Sequence, residues 1–230
     1  LEKHFKSGNI KFFYTIPRFH YPLGHSYSED EKRAILDLAA KYQIYIVEDD
    51  YLGDLDPKMG QTFHYLDQDD LVIYIKSFST SIFPALRITA LILPNVIKDA
   101  FVAYKNILDY DNNLIMQKAL SLYIDSQLFE KNRLARLTLQ EKSQDQIQKL
   151  LKSYPISLPS YPLQDGVLLD LRNYPKIAGL KHSPLKLDFF ASSYIGACPY
   201  HFAKIPFENL EETLNYLKNY LKNYLKTELD

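Results

Sequence analysis

Four short apolar runs mark the first hundred residues, and each is closed by polar residues or proline. Ile10–Ile16 (IKFFYTI) stops at Pro17, and Ile44–Val47 (IYIV) stops at Glu48-Asp49-Asp50. Leu71–Ile75 (LVIYI) leads into Ser77-Phe78-Ser79-Thr80-Ser81, and Ile88–Leu93 (ITALIL) into Pro94. Their length and their β-branched and aromatic content predict strands, and the lack of polar alternation predicts that both faces are covered. Pro22 and Gly24 mark a turn after the first run. Ser28 followed three residues later by Glu31 has capping-box spacing, and behind it Ala34, Ile35, Leu38, Ala39 and Tyr42 share one helical face. Strand, helix and strand in that order make a parallel crossover. In open sheets of this kind sites lie beyond the carboxyl ends of the strands, where the acidic triplet and the Ser/Thr cluster both fall.

From Val96 to about Leu151 the pattern is helical, with neither glycine nor proline. Ile124, Leu128, Leu134, Leu137, Ile147 and Leu151 supply the apolar stripes, and Glu130, Lys131, Arg133 and Arg136 read as the wet face. Proline returns at Pro155, Pro159 and Pro162, and a small α+β unit is predicted beyond it. Its strands are expected near Gly166–Leu171 (GVLLDL) and Lys186–Phe190 (KLDFF), paired in one sheet. A terminal helix comes last, with NYLK repeated at Asn215, Asn219 and Asn223 and a stripe of Leu210, Leu214, Leu217 and Leu221. A four-residue repeat drifts ~40° per repeat around a helix, so this is an amphipathic helix and not a coiled coil.

Composition narrows the function classes. With 27 basic and 28 acidic residues, a net charge of −1 leaves no electrostatic footprint for nucleic acid or an anionic membrane. The single cysteine, Cys198, rules out an intramolecular disulfide and a Cys-rich zinc site, and the six histidines show no ligand spacing. No apolar run reaches the ~18–20 residues needed to span a bilayer. The start, Leu1-Glu2-Lys3-His4-Phe5, has no apolar signal core and no initiator Met, so the chain reads as a piece of a longer one, with a cytoplasmic location expected. At 230 residues, one large or two small domains are expected.

Several stretches together resemble fold-type I pyridoxal phosphate (PLP) enzymes, and in particular the aminotransferase-like domain of MocR regulators of the GntR family. They are Tyr14-Thr15-Ile16-Pro17-Arg18-Phe19-His20-Tyr21-Pro22-Leu23-Gly24, then Ile46-Val47-Glu48-Asp49-Asp50-Tyr51, then Tyr74 through Arg87, with Ile124-Asp125-Ser126 through Arg136 similar to the family's interdomain helix. Their order and spacing cover most of the chain. The resemblance implies roles. Asp49 matches the carboxylate that pairs with the pyridinium nitrogen, and Tyr51 the tyrosine that hydrogen-bonds the 3-hydroxyl oxygen. Ser77, Ser79 and Arg87 match the phosphate-binding group, with two hydroxyls and a guanidinium fork suited to a dianion. Tyr21 and Pro22 fall where the enzymes carry an Asn-Pro turn beside the ring. Taken singly, Asp49 and Tyr51 also read as ordinary strand-end polar residues, and Arg87 as the partner of a carboxylate.

Two departures qualify the resemblance. The family motif Ser-Phe-Ser-Lys ends in the lysine that forms the Schiff base, and here Thr80 stands in its place. A hydroxyl cannot form an imine. Lys76 lies four residues earlier, a poor substitute about 13 Å away along an extended chain. Near the end, Phe202-Ala203-Lys204-Ile205 matches a Phe-Ala-Arg-Leu segment whose arginine holds the substrate carboxylate, and Lys204 keeps the charge without the fork. The family's upstream segment, with its phosphate-binding turn and ring-stacking aromatic, is not expected in this chain, and neither is a winged-helix domain.

The expected fold is therefore α/β. Residues 1–130 form part of a fold-type I large domain with the interdomain helix, and residues 131–230 form a C-terminal α+β small domain. The expected function is a non-catalytic effector-sensing and dimerisation module of a GntR/MocR-like regulator. It would be a homodimer that binds PLP non-covalently or has lost it, senses a phosphate- or amine-bearing effector, reaches DNA only through a domain absent from this chain, and has no membrane contact. The alternatives are an aminotransferase, as a fragment or in lysine-substituted form, and a purely structural dimerisation domain.

Overall fold

The computed structural model describes residues 1–20, 25–56, 60–79, 82, 86–109, 113–153, 160–163, 166–170, 188–189, 202–207 and 210–229. Two compact units divide the chain, one of Leu1–His20 with His25–Arg136, the other running from Leu137 onward.

In the first unit a short helix, α1 (Glu2–Phe5), precedes strand β1 (Phe12–Thr15). Helix α2 (Glu29–Tyr42) then crosses to β2 (Tyr45–Asp49). The capping box at its start is present: Ser28 Oγ accepts from the Glu31 N–H, and the Glu31 carboxylate accepts from the Ser28 N–H. A 3-10 turn (Gly53–Leu55) and the one-turn helix α3 (Phe63–Leu66) lead to β3 (Val72–Ser77), and β4 (Thr89–Ile92) completes the sheet. The strand order is β1-β2-β3-β4; the first three are parallel and β4 runs antiparallel to β3. Three helices follow: α4 (Asn95–Leu108), α5 (Leu114–Asp125) and α6 (Leu128–Lys152). Gln127, with φ of 62°, separates α5 from α6.

One face of this sheet packs on α2 and α3. Leu36, Ala39, Ile46, Phe63, Leu66 and Val72 form its core. The opposite face is open, against the expectation of two covered faces: Phe12 is 63% exposed and Tyr14 51%, and all of β4 is exposed. Two further expectations are corrected. The buried stripe of α2 is Lys32, Leu36 and Ala39, and Ala34 is exposed. The reason is that the Lys32 ammonium donates to the Gln61 carbonyl at 2.6 Å, so a charged residue turns inward. In α6 the polarity is reversed over its first turns. Leu128 and Leu134 are exposed, whereas Arg133 is largely covered and paired with Glu130.

The second unit has its own sheet, β5 (Ser160–Pro162), β6 (Gly166–Asp170), β7 (Asp188–Phe189) and β8 (Phe202–Pro206), in the order β5-β6-β8-β7 and antiparallel throughout. The two predicted strands share this sheet without pairing, because β8 lies between them. Gly166 is required by the close approach of β8, since an added Cβ would meet the Ile205 carbonyl oxygen at 2.3 Å. Helix α7 (Leu210–Leu229) packs Leu217 and Leu221 against Ile147 and Leu151 of α6, Val167 and Leu169 of β6, and Ile205 of β8. The predicted leucine stripe is the one that is buried. Leu217 is 1% exposed. Leu217→Ala is expected to cost ~2–4 kcal/mol of stability in urea denaturation, and a loss under ~0.5 kcal/mol would contradict this packing.

Candidate functional site

Pleating sorts the residues at the carboxyl end of the first sheet. Successive side chains of a strand point to opposite faces. Phe12 and Tyr14 of β1, Val47 and Asp49 of β2, and Ile75 and Ser77 of β3 share the open face, in the register Tyr14↔Val47 and Asp49↔Ile75. Ile46, Glu48 and Asp50, with Val72, Tyr74 and Lys76, share the covered one. The acidic triplet is thus not one cluster.

On the open face the Tyr14 hydroxyl donates to Asp49 Oδ2 at 2.6 Å. Burial, then this carboxylate, push the Tyr14 phenol well above the usual tyrosine range, and the nearby Tyr51 phenol adds to it. Tyr51 is half-buried at the turn after β2. Ser77 ends β3, one strand over from Asp49 and two residues beyond its register partner, and its Oγ accepts from the Ser79 N–H at 3.3 Å. Arg87 is exposed and has φ of 51°. That left-handed backbone costs a non-glycine residue ~1–2 kcal/mol, and such strain concentrates at ligand-holding sites. Next to this end of the sheet, a groove of about 490 Å³ is lined by Phe78, Ile88, Leu120 and Ile124, with Thr89, Gln117, Ser121 and Asp125 among its polar members. Tyr21 and Thr80 lie outside the described residues. Lys204 belongs to the second unit, in β8, where it pairs with Leu168 on one side and Asp188 on the other.

The covered face holds a buried charge network that sequence reasoning missed. Glu48 is fully buried, and its two oxygens accept the Phe63 and His64 N–H groups at 2.8 Å each, capping α3. Burial outweighs those two donors and pushes its carboxyl up to about 7. Asp50 accepts from the Tyr74 hydroxyl at 2.9 Å and faces Arg18 Nε at 3.3 Å, out of line for a hydrogen bond. Arg18 also donates to the Gly53 and Gly60 carbonyls at 3.3 and 2.8 Å and lies 3.8 Å from Asp56. Burial, ahead of the opposing Arg18 charge, raises Asp50 as well. Lys76 is bound to Asp54 at 2.7 Å. The only sequence signal for this network is the proximity of Arg18 to a strand end.

Lys76 therefore points away from Asp49 and Ser77. Pleat parity, more than distance along the strand, prevents it from standing in for a lysine at position 80. The open face itself holds the Asp49 carboxylate, of the kind a protonated PLP ring nitrogen needs, and the Ser77 hydroxyl, a donor a phosphate could use.

No protein-family model matches the chain. Its homologues include HTH-type transcriptional regulators and, at 39% identity over 85 residues, 36% of this chain and 20% of that protein, the mitochondrial kynurenine/alpha-aminoadipate aminotransferase of Bos taurus. It is 46% identical to YcxD of Bacillus subtilis over 134 residues, which is 58% of this chain and 30% of that protein. It is 29% identical to NorG of Staphylococcus aureus over 126 residues, 53% of this chain and 28% of that protein. Its fold is that of the fold-type I PLP-dependent aminotransferases. On Pyrococcus horikoshii kynurenine aminotransferase it superposes with a TM-score of 0.80 at 22% identity, over 97% of this chain and 59% of that one. The chain spans under a third of the curated regulators it matches and about three-fifths of the solved aminotransferase. The resemblance to MocR-type regulators read from the sequence agrees with both comparisons.

The raised carboxyl of Glu48 gives a pH dependence of definite sign. Its pKa lies above the ordinary 4.5 in the folded state, so its contribution to stability is complete below pH about 4.5 and is lost as pH rises through about 7. Asp50 shifts in the same direction. Glu2, Glu31 and Glu130 shift the opposite way, so the test is a difference: the parent's urea midpoint is expected to fall relative to that of Glu48→Gln between these pH values. A parent midpoint that rises relative to Glu48→Gln over this interval would contradict the assignment.

Proposed function

We propose that the chain is the aminotransferase-like effector-sensing and dimerisation module of a GntR/MocR-like transcription regulator, without transaminase activity of its own. The observation that carries this reading is a set of polar side chains near the strand ends with no lysine among them. The Tyr14–Asp49 pair, Ser77, Ser79 and the strained Arg87 stand there, while Thr80 offers no amine and Lys76 faces the other way. The regulator homologues support the regulatory context, and the DNA contact is assigned to a domain outside this chain.

PLP, when bound, supplies an electron sink. The residues here would only hold it. Asp49, kept in place by the Tyr14 hydroxyl, takes the ring nitrogen, and Tyr51 takes the 3-hydroxyl oxygen. Ser77, Ser79 and Arg87 take the phosphate. Without a covalent link the ligand is exchangeable, which suits a sensor. Another phosphate- or amine-bearing molecule satisfies the same donors. The second reading, an aminotransferase as a fragment or in lysine-substituted form, is favoured by the 39% identity over 85 residues to the Bos taurus kynurenine/alpha-aminoadipate aminotransferase.

With PLP and an amino acid supplied, amino-group transfer by the chain is expected to stay at background. Thr80→Lys should gain a visible absorption band on adding PLP that the parent lacks. Arg87→Ala should weaken PLP in equilibrium dialysis by about ten- to a hundredfold, the loss of one charge-assisted contact. Turnover by the parent would favour the second reading. If the parent and Thr80→Lys both fail to bind, and Arg87→Ala changes nothing, the chain is a purely structural dimerisation domain.

Self-association is expected on separate grounds. Neither α4 nor α5 has a buried residue, and Val96, Tyr104, Ile107 and Leu108 of α4 and Leu114 and Ile115 of α5 are exposed. So much exposed apolar surface on two helices is the kind an interface would cover. Sedimentation should show dimer at micromolar concentration, and monomer alone at high micromolar concentration would contradict it.

A further inference from the structure

We propose that Arg18 is a positioning residue for Tyr51: its buried guanidinium gathers the turn after β2 around itself and so sets the position of Tyr51, two residues on from Asp49. The role of Tyr51 rests on the sensing function proposed for this site, whereas the gathering of the turn does not.

Arg18 is 7% exposed, three residues past the end of β1. A buried arginine has to satisfy its donors within the protein, and the partners of this one all lie in a single stretch of chain. Nε faces Asp50, Nη1 donates to the Gly53 carbonyl and approaches Asp56, and Nη2 donates to the Gly60 carbonyl. Tyr51 sits inside that stretch, between Asp50 and the buried Leu52.

The stretch is closed from within as well. The Gly53 N–H donates to the Asp50 carbonyl, that of Leu55 to Leu52, and that of Asp56 to Gly53. At Gly53 an added Cβ would fall 2.3 Å from the Asp50 carboxylate, so the acid that faces Arg18 is packed directly on the turn. Phe19, the next residue after Arg18, has φ of 51° and is buried, and its N–H donates to Ser26 Oγ at 2.9 Å. A bulky side chain in the left-handed region is rare and persists only where its surroundings dictate it. Here the β1 exit is strained at the point that delivers the guanidinium. A lysine at position 18 keeps the charge but, as a single point donor, cannot reach carboxylate and two carbonyls in a fork.

The test uses the full chain with PLP as probe and Arg18→Lys as the variant that keeps the charge. Hydrogen exchange at Gly53, Leu55 and Asp56 is expected to speed up by about tenfold or more in Arg18→Lys, while Ile46 in β2 stays protected. The ring-carbon NMR resonance of Tyr51, assigned by its loss in Tyr51→Phe, should shift in Arg18→Lys. PLP should bind about tenfold more weakly to Arg18→Lys in equilibrium dialysis, and this loss should vanish in the Tyr51→Phe background. A merely structural Arg18 would give losses that multiply. Multiplying losses, unchanged exchange in the turn, or an unmoved Tyr51 resonance would each overturn the proposal. If the parent does not bind PLP, the sensing function falls, and the exchange and resonance measurements decide this inference by themselves.

Discussion

A β-strand turns successive side chains to opposite faces, and in β2 that alternation falls across three acids in a row. Glu48 and Asp50 go inward, where they must find donors, and Asp49 goes to the open face, where it meets the Tyr14 hydroxyl. The inward acids organise the chain beyond the strand. Glu48 holds the first turn of α3 through two N–H groups, and Asp50 faces Arg18, which holds the turn between. The outward acid is the one the proposed site assigns to a ligand. One register decision thus separates the residues that build the site's frame from those that present chemistry.

The frame carries unusual stakes because it is charged. Lys32, Arg18, Glu48 and Asp50 are all buried, and a buried ion left without its partner is worth several kcal/mol in destabilisation. An apolar core of the same volume would be at least as stable. What the charged arrangement adds is geometry: a guanidinium with partners in three places allows few conformations of the segment it holds.

The sheet, the capping box of α2 and the leucine stripe of α7 were legible because each rests on local chemistry or on a clean period. The site motifs were legible as a resemblance, and the fold comparison supports the architecture they implied. The failures share one cause. The pattern leaves Lys32 off the apolar face of α2, puts Arg133 on a wet face, and makes β2 a plain apolar run ending in acids. In each case long-range or neighbouring pairing places a charged group inside, with the Gln61 carbonyl, Glu130 and the N–H groups of Phe63 and His64 as partners. Periodicity sees polarity but not the partner that makes a polar group buriable. β8 escaped notice as a strand for a related reason, since its pairing with β6 is set by residues more than thirty positions away.

The orientation of Lys76 bears on the chain's history. An amine held on the covered face by Asp54 is no stepping stone toward a covalently held cofactor. Any return to imine chemistry would have to run through position 80 itself. Threonine and lysine codons can differ by a single base, so that route is mutationally short.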